Sequence, residues 1–217
     1  MYVKDYMTAE LITITPQTSV TEAQDLLRKH DINRLPVLKN DKLVGLVTKD
    51  LINRNLPSNA TSLSRNEINY LLEKTTAEDI MATKLHSANP DTLLDHAATI
   101  MSENNLGVLV VLENERLVGV ITDKDIFNAF VDISGTREPG TTIVVELDKD
   151  REGVIEEIGD ALVESDNNLT HMIVYYHLEN SIRIVISVNT DRVDNLVQAI
   201  EKRGYEVKSV TKKQIKI

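Results

Sequence analysis

The chain has 217 residues, 41% of them hydrophobic but only 4% aromatic and none Trp, so any core it builds is aliphatic. Its 34 acidic side chains against 24 basic ones leave a formal charge of −10, which argues against nonspecific nucleic-acid binding, because that needs basic surface. With no Cys, disulfides and thiolate metal sites are excluded. Lys4 and Asp5 interrupt any apolar N-terminal run, so no signal peptide is read. No stretch approaches the ~18 apolar residues of a membrane span. The expectation is a cytoplasmic protein of two compact domains.

A short extended segment, Leu11 to Thr15, is stopped by Pro16. A helix follows, with Val20, Ala23, Leu26, Leu27 and His30 at helical spacing. A buried strand runs from Arg34 to Leu38. The polar turn Lys39-Asn40-Asp41-Lys42 reads as a hairpin, a second strand runs to Thr48, and a helix closes the unit. Between residues 56 and 76, Pro57-Ser58-Asn59 marks a loop. Ser64 with Glu67 then forms a capping box before Ile68, Leu71 and Leu72. This reads as a connector helix at a repeat interface.

The first unit then recurs. Adding 74 to Asp5, Met7, Thr13, Pro16, Ala23, Leu35, Leu43, Val44, Gly45 and Thr48 lands on Asp79, Met81, Ser87, Pro90, Ala97, Leu109, Leu117, Val118, Gly119 and Thr122. A constant offset over more than forty positions means two copies of one unit, which pack on each other. The second copy repeats the order: an extended segment Leu85 to Asn89, a helix with Ala97, Ile100 and Met101, a strand Val108 to Leu112, and the turn Glu113-Asn114-Glu115-Arg116. A strand to Thr122 and a helix complete it.

Gly135 to Gly140, with Pro139, reads as a domain boundary. Beyond it the order is β-α-β-β-α-β. Ile143 to Leu147 is a strand, and Asp148 to Gly153 a loop into a helix through Ile155, Ile158, Leu162 and Val163. Leu169 to Leu178 and Ile182 to Val188 pair around Glu179-Asn180-Ser181. Asp191 reads as the cap of a helix carrying Val193, Leu196, Val197 and Ile200, which Gly204 ends. Glu206 to Val210 is the last strand, and the Lys-rich tail Thr211 to Ile217 reads as loose.

The chemistry concentrates where the second copy's apolar strand ends, at Thr122-Asp123-Lys124-Asp125. Backbone N–H groups stay unpaired at such a helix start and can meet an anion. A carboxylate there can accept from ribose hydroxyls. The same Thr-x-x-Asp spacing also makes a plain helix cap. His171 and His177 share a strand face but, at roughly 3.3 Å per residue, stand too far apart to share a metal. No metal site, Walker loop, Gly-x-Ser-x-Gly elbow or His-Glu-x-x-His set is present, so no catalytic group is assigned.

The repeated unit resembles a tandem pair of CBS domains. The motifs are Met7-Thr8, Thr13-Ile14-Thr15-Pro16, Leu35-Pro36-Val37-Leu38 and Gly45-Leu46-Val47-Thr48, then Asp79-Ile80-Met81, Pro90-Asp91-Thr92 and Gly119 to Asp125. The C-terminal part is similar to an ACT domain, and the order CBS–CBS–ACT resembles the acetoin-utilisation regulatory proteins. The implied fold class is α+β, two βαββα-type repeats followed by a ferredoxin-like βαββαβ unit. The implied domains are 1–134 (repeat one 1–55, connector helix 56–76, repeat two 77–134) and 140–211.

The resemblance implies a non-catalytic regulatory protein with an adenosine ligand, AMP, ADP or ATP ahead of other adenosine compounds, in a cleft between the copies. Thr122 and Asp125 would take the ribose, while Lys124 and Arg34 would reach phosphate. Ser87, His86 and Thr13, in the extended segments, would also bind the nucleotide, as would Thr48, the first copy's counterpart of Thr122. Leu51 stands where the first copy would need the carboxylate, and Val108 where the second would need the Arg. These departures imply one competent, composite site. Asp150 and Gly153 would lie in an ACT ligand loop. A homodimer and an unidentified regulated protein are the implied partners. An interaction scaffold with degenerate clefts and a nucleotide-processing enzyme stay open as alternatives.

Overall fold

The computed structural model describes residues 1–55, 73–148, 151–176 and 181–213. They form two compact units, Met1–Ile126 and Phe127–Ile217. The division falls inside a helix, ahead of the Gly135 to Gly140 stretch that reads as a boundary in the sequence. The connector-helix residues from 56 to 72, together with Asp150 and His177, lie outside the described residues.

In the first unit, copy one consists of α1 (Val20–Lys29), β1 (Arg34–Lys39), β2 (Lys42–Thr48) and α2 (Lys49–Asn55). A short helix, α3 (Ala77–Ile80), precedes copy two, which consists of β3 (Ser87–Ala88), α4 (Leu94–Glu103), β4 (Val108–Glu113), β5 (Arg116–Thr122) and α5 (Asp123–Ile133). Both hairpins turn through two consecutive residues at positive φ, Asn40-Asp41 and Asn114-Glu115, which matches the right-handed twist of the flanking strands. Both carry a register shift at the same place, after Val37 and after Val111. The first extended segment contributes one parallel bridge, Ile14 to Val37, and the second the two-residue strand β3 beside β4. Val20, Ala23 and Leu27 of α1 are buried against Leu35, Val37, Val47 and Ile52. His30 is not on that face; it ends α1 and is exposed.

The copies exchange their leading segments. Thr8 bridges Val120 of β5, and Ala82, its counterpart at the offset of 74, bridges Leu46 of β2. Val3 and Lys4 donate to the carbonyls of Thr92 and Pro90, while Ala77 and Glu78 donate to those of Thr18 and Pro16. Each copy is therefore completed by residues that precede the other. The repeated methionines and glycines follow from this. A side chain at Gly119 would stand 2.7 Å from Met7 Sδ, and one at Gly45 would collide with Met81. The repeated Asp5 and Asp79 accept from the backbone N–H of Tyr2 and Thr76, at 2.7 and 2.8 Å, and fix the start of each exchanged turn.

The second unit is a four-stranded antiparallel sheet in the order β7-β8-β6-β9. Its elements are β6 (Gly140–Leu147), α6 (Val154–Glu164), β7 (Leu169–Tyr176), β8 (Ile182–Val188), α7 (Asp194–Lys202) and β9 (Glu206–Lys213). This is the ferredoxin-like βαββαβ arrangement. Ile143, Val145, Ile184 and Ile186 alternate onto the face packed against Ile158, Leu162, Leu196 and Ile200 of the helices.

Two local readings of the sequence are corrected. Thr211 to Lys213 are not loose: they extend β9 along β6, and Lys213 Nζ donates to the Gly135 carbonyl at 2.8 Å. Asp191 does not cap α7, which begins at Asp194 after Val193 with no side-chain cap; Val193 is instead buried in the core. Gly153 stands at the N-cap of α6, with no described atom within 4 Å of where its side chain would be. Its φ of 86° is the left-handed conformation that glycine adopts without strain.

Candidate ligand site between the copies

The site is built where β5 passes into α5. Thr122 ends the strand half-buried, and Asp125 sits in the first turn of the helix, also half-buried. The Asp125 carboxylate accepts from Thr122 N at 2.8 Å and from Thr122 Oγ1 at 2.7 Å. The Asp125 N–H stands 3.4 Å from Thr122 Oγ1. Strand end and helix start are thereby locked together as a capping box that uses the Oδ2 oxygen of the Asp125 carboxylate. Copy one keeps half of this device. Thr48 Oγ1 accepts from Leu51 N at 3.1 Å, but Leu51 supplies no carboxylate.

Arg34 crosses from copy one into copy two. Its Nη2 donates to the Gly107 carbonyl at 2.7 Å, and lies 3.9 Å from Asp123 Oδ1. Gly107 and Asp123 are themselves joined, Asp123 N to Gly107 O, at 3.4 Å. The guanidinium of one copy is thus held at the start of the other copy's helix that carries Asp125, one residue beyond Thr122 at the end of β5. Gly107 and Asp123 are the participants that sequence reasoning missed. Only the offset could have pointed to them, because they take the positions of Asn33 and Lys49, which are likewise joined, Lys49 N to Asn33 O, at 3.0 Å.

The remaining predicted residues distribute as follows. Lys124 is exposed, and its backbone N–H donates to Asp123 Oδ1 at 2.9 Å. Ser87 lines a cleft of about 400 Å³ between the copies, with Val44, Leu43 and Lys42 of copy one and Thr83, Leu85 and Val110 of copy two. The His86 carbonyl accepts from Val110 N at 3.2 Å, so its backbone is committed to the sheet. Thr13 is exposed beside the Ile14 bridge. Arg34, Thr122, Asp125 and the neighbouring Lys124 form one group; Thr48 stands opposite Arg34 in the β1–β2 ladder, while Ser87 lines the cleft just described.

In the second unit, Gly153 opens α6 next to a tight cluster. Arg151 donates to both oxygens of Glu157 at 2.8 and 2.7 Å and to Tyr205 Oη at 2.9 Å, and the Tyr205 hydroxyl also donates to Glu157. These donors, Arg151 first, hold the Glu157 carboxyl down at about 2. Burial, and then the bond to Glu157, push the Tyr205 phenol up to about 12. His171 packs over Gly135, with Nδ1 3.8 Å from Glu138 Oε2. Among the described residues, no group of three or more His, Asp or Glu side chains is arranged to hold a metal ion, and no helix is long and apolar enough to cross a membrane.

The profile of the CBS domain matches residues 3–57 and 77–132. These are the two copies, and together they make up half of the chain. The chain belongs to the CBS-domain family. It is 37% identical over 130 residues to the L-aspartate semialdehyde sulfurtransferase of Methanocaldococcus jannaschii, an alignment spanning 59% of this chain but only 23% of that enzyme. Among solved structures, the CBS domain pair of protein MJ0100, in complex with 5′-methylthioadenosine and S-adenosyl-L-methionine, is 33% identical. It covers 61% of this chain and 97% of its own, with a TM-score of 0.50. A putative acetoin utilization protein, AcuB, from Vibrio cholerae is 26% identical, with 61% and 91% covered and a TM-score of 0.51.

Proposed function

We propose that this chain is a non-catalytic sensor that binds an adenosine-containing ligand between its two CBS copies. The ribose hydroxyls bond to Thr122 and to Asp125, whose carboxylate has acceptor capacity beyond its cap. Arg34 faces the 5′ side, flanked by Lys124. The observation that carries this reading is the placement of Arg34 of copy one at the start of the helix that bears Asp125 of copy two. A site made from both copies changes affinity when the copies shift, which is what a regulatory module requires. The related CBS pair solved with two adenosine compounds supports the ligand class. The ferredoxin-like unit either passes the shift to a regulated protein or, as an ACT-like module, takes a second metabolite at the loop before Gly153. The chain works as a cytoplasmic homodimer.

The test is thermal unfolding of the purified protein with a panel of adenosine compounds. A specific ligand at about a hundred times its Kd stabilises by about 2.7 kcal/mol, roughly 5–10 °C in Tm for a chain of this size. The shift is expected to vanish in Asp125→Ala, measured against that variant's own ligand-free Tm. A panel that shifts neither protein overturns the proposal.

A further inference from the structure

We infer, resting on the sensor reading above, that the mouth at Thr122 takes an adenosine compound whose 5′ end carries no polyphosphate chain. Among the residues placed at this site, four are ionisable: Arg34, Asp123, Lys124 and Asp125. Two cations against two carboxylates leave no net positive charge. The one cation held in place is already engaged. Arg34 donates to the Gly107 carbonyl and faces Asp123 at 3.9 Å, with only 24% of its side chain exposed. Asp123 is 57% exposed, so its carboxylate stands at the solvent edge of the same helix turn. A ribose seated on Thr122 and Asp125 brings its 5′ substituent to that turn.

The other copy shows what a phosphate-friendly mouth lacks here. At the offset of 74, Lys49 takes the place of Asp123 and Asn33 that of Gly107, while Leu51 replaces Asp125 and Val108 replaces Arg34. The ribose carboxylate and a lysine in the Asp123 position are therefore at different mouths. Each added phosphate brings negative charge toward Asp123 and Asp125, and like charges brought together at a partly covered site lose affinity. A neutral or cationic 5′ end meets no such penalty.

Titration calorimetry without divalent ions, comparing 5′-methylthioadenosine, AMP and ATP, tests this. The methylthio compound is expected to bind at least ~10-fold more tightly than ATP, with AMP between them. Asp123→Asn is expected to narrow the ratio of 5′-methylthioadenosine to ATP affinity about tenfold, by strengthening ATP binding. Asp123→Ser serves as a second variant with the same expectation. ATP binding as tightly as 5′-methylthioadenosine, or variants that leave the ratio unchanged, overturns this inference while the sensor reading stands. Binding by none of the three compounds overturns both.

Discussion

Gly119 and Gly153 are the same residue type doing different physical work. Gly119 has ordinary backbone angles but a methionine from the other copy against it, with Sδ 2.7 Å from where a β-carbon would lie. Gly153 has empty space around it and a left-handed backbone. Gly119→Ala is therefore an overpacking change, expected to destabilise by about 1–3 kcal/mol, and Met7→Ala in the same chain should recover part of that by making room. Gly153→Ala should cost about 1 kcal/mol through backbone strain alone, with no second-site rescue from the core. Urea unfolding of the single and double variants separates the two. A Gly119→Ala protein as stable as the parent would mean that Met7 has another place to go.

At the level of elements, the repeated unit was readable because each of its signals has a local cause. Asn-Asp and Asn-Glu turns, Pro stops and aliphatic alternation act over a few residues, and an offset of 74 makes each signal appear twice. Asp5 and Asp79 appear in that repeat because both cap a turn. Asp125 was legible for the same reason, whereas the Arg34 to Gly107 bond depends on how two copies meet and leaves no local trace. The tail was misread because the lysines of β9 suit both a loose end and an exposed edge strand, and only its pairing with β6 decides. The Arg151, Glu157 and Tyr205 cluster joins a loop, a helix and a strand start, and its pH dependence is specific. Glu157 ionises near 2 in the folded chain rather than near 4.5. Its contribution is complete above about 4.5 and is lost as pH falls toward 2. Tyr205 has the opposite sign. Its phenol, raised from 10.0 to about 12, contributes below pH 10 and loses that contribution as pH climbs to 12. Denaturation across acid pH should show Glu157→Gln with a flatter stability loss than the parent between 4.5 and 2. Parallel curves would mean the ion pair is not coupled to folding.

For the molecule as a whole, the exchange of leading segments makes the first unit one cooperative body. Residues 2 to 8 cover β5 and the turn at Pro90 to Leu93, so a chain starting at residue 9 removes material from copy two, not copy one. Hydrogen exchange on that truncated chain should show lost protection in β5 and at Thr92 to Leu94, with the β1–β2 hairpin retaining more of its own. Equal loss in both hairpins would contradict the exchanged packing. The same feature bears on synthesis. During synthesis, residues 3 to 8 have their partners at Pro90, Thr92 and Val120, more than eighty residues later, so they wait while copy one assembles without them. Copy one in turn closes only when Thr75 to Ala82 have emerged. Folding of the nascent chain is then a matter of arrivals out of order, and a chaperone that shields the waiting N-terminal segment acts at the step where long loop closure slows the rest.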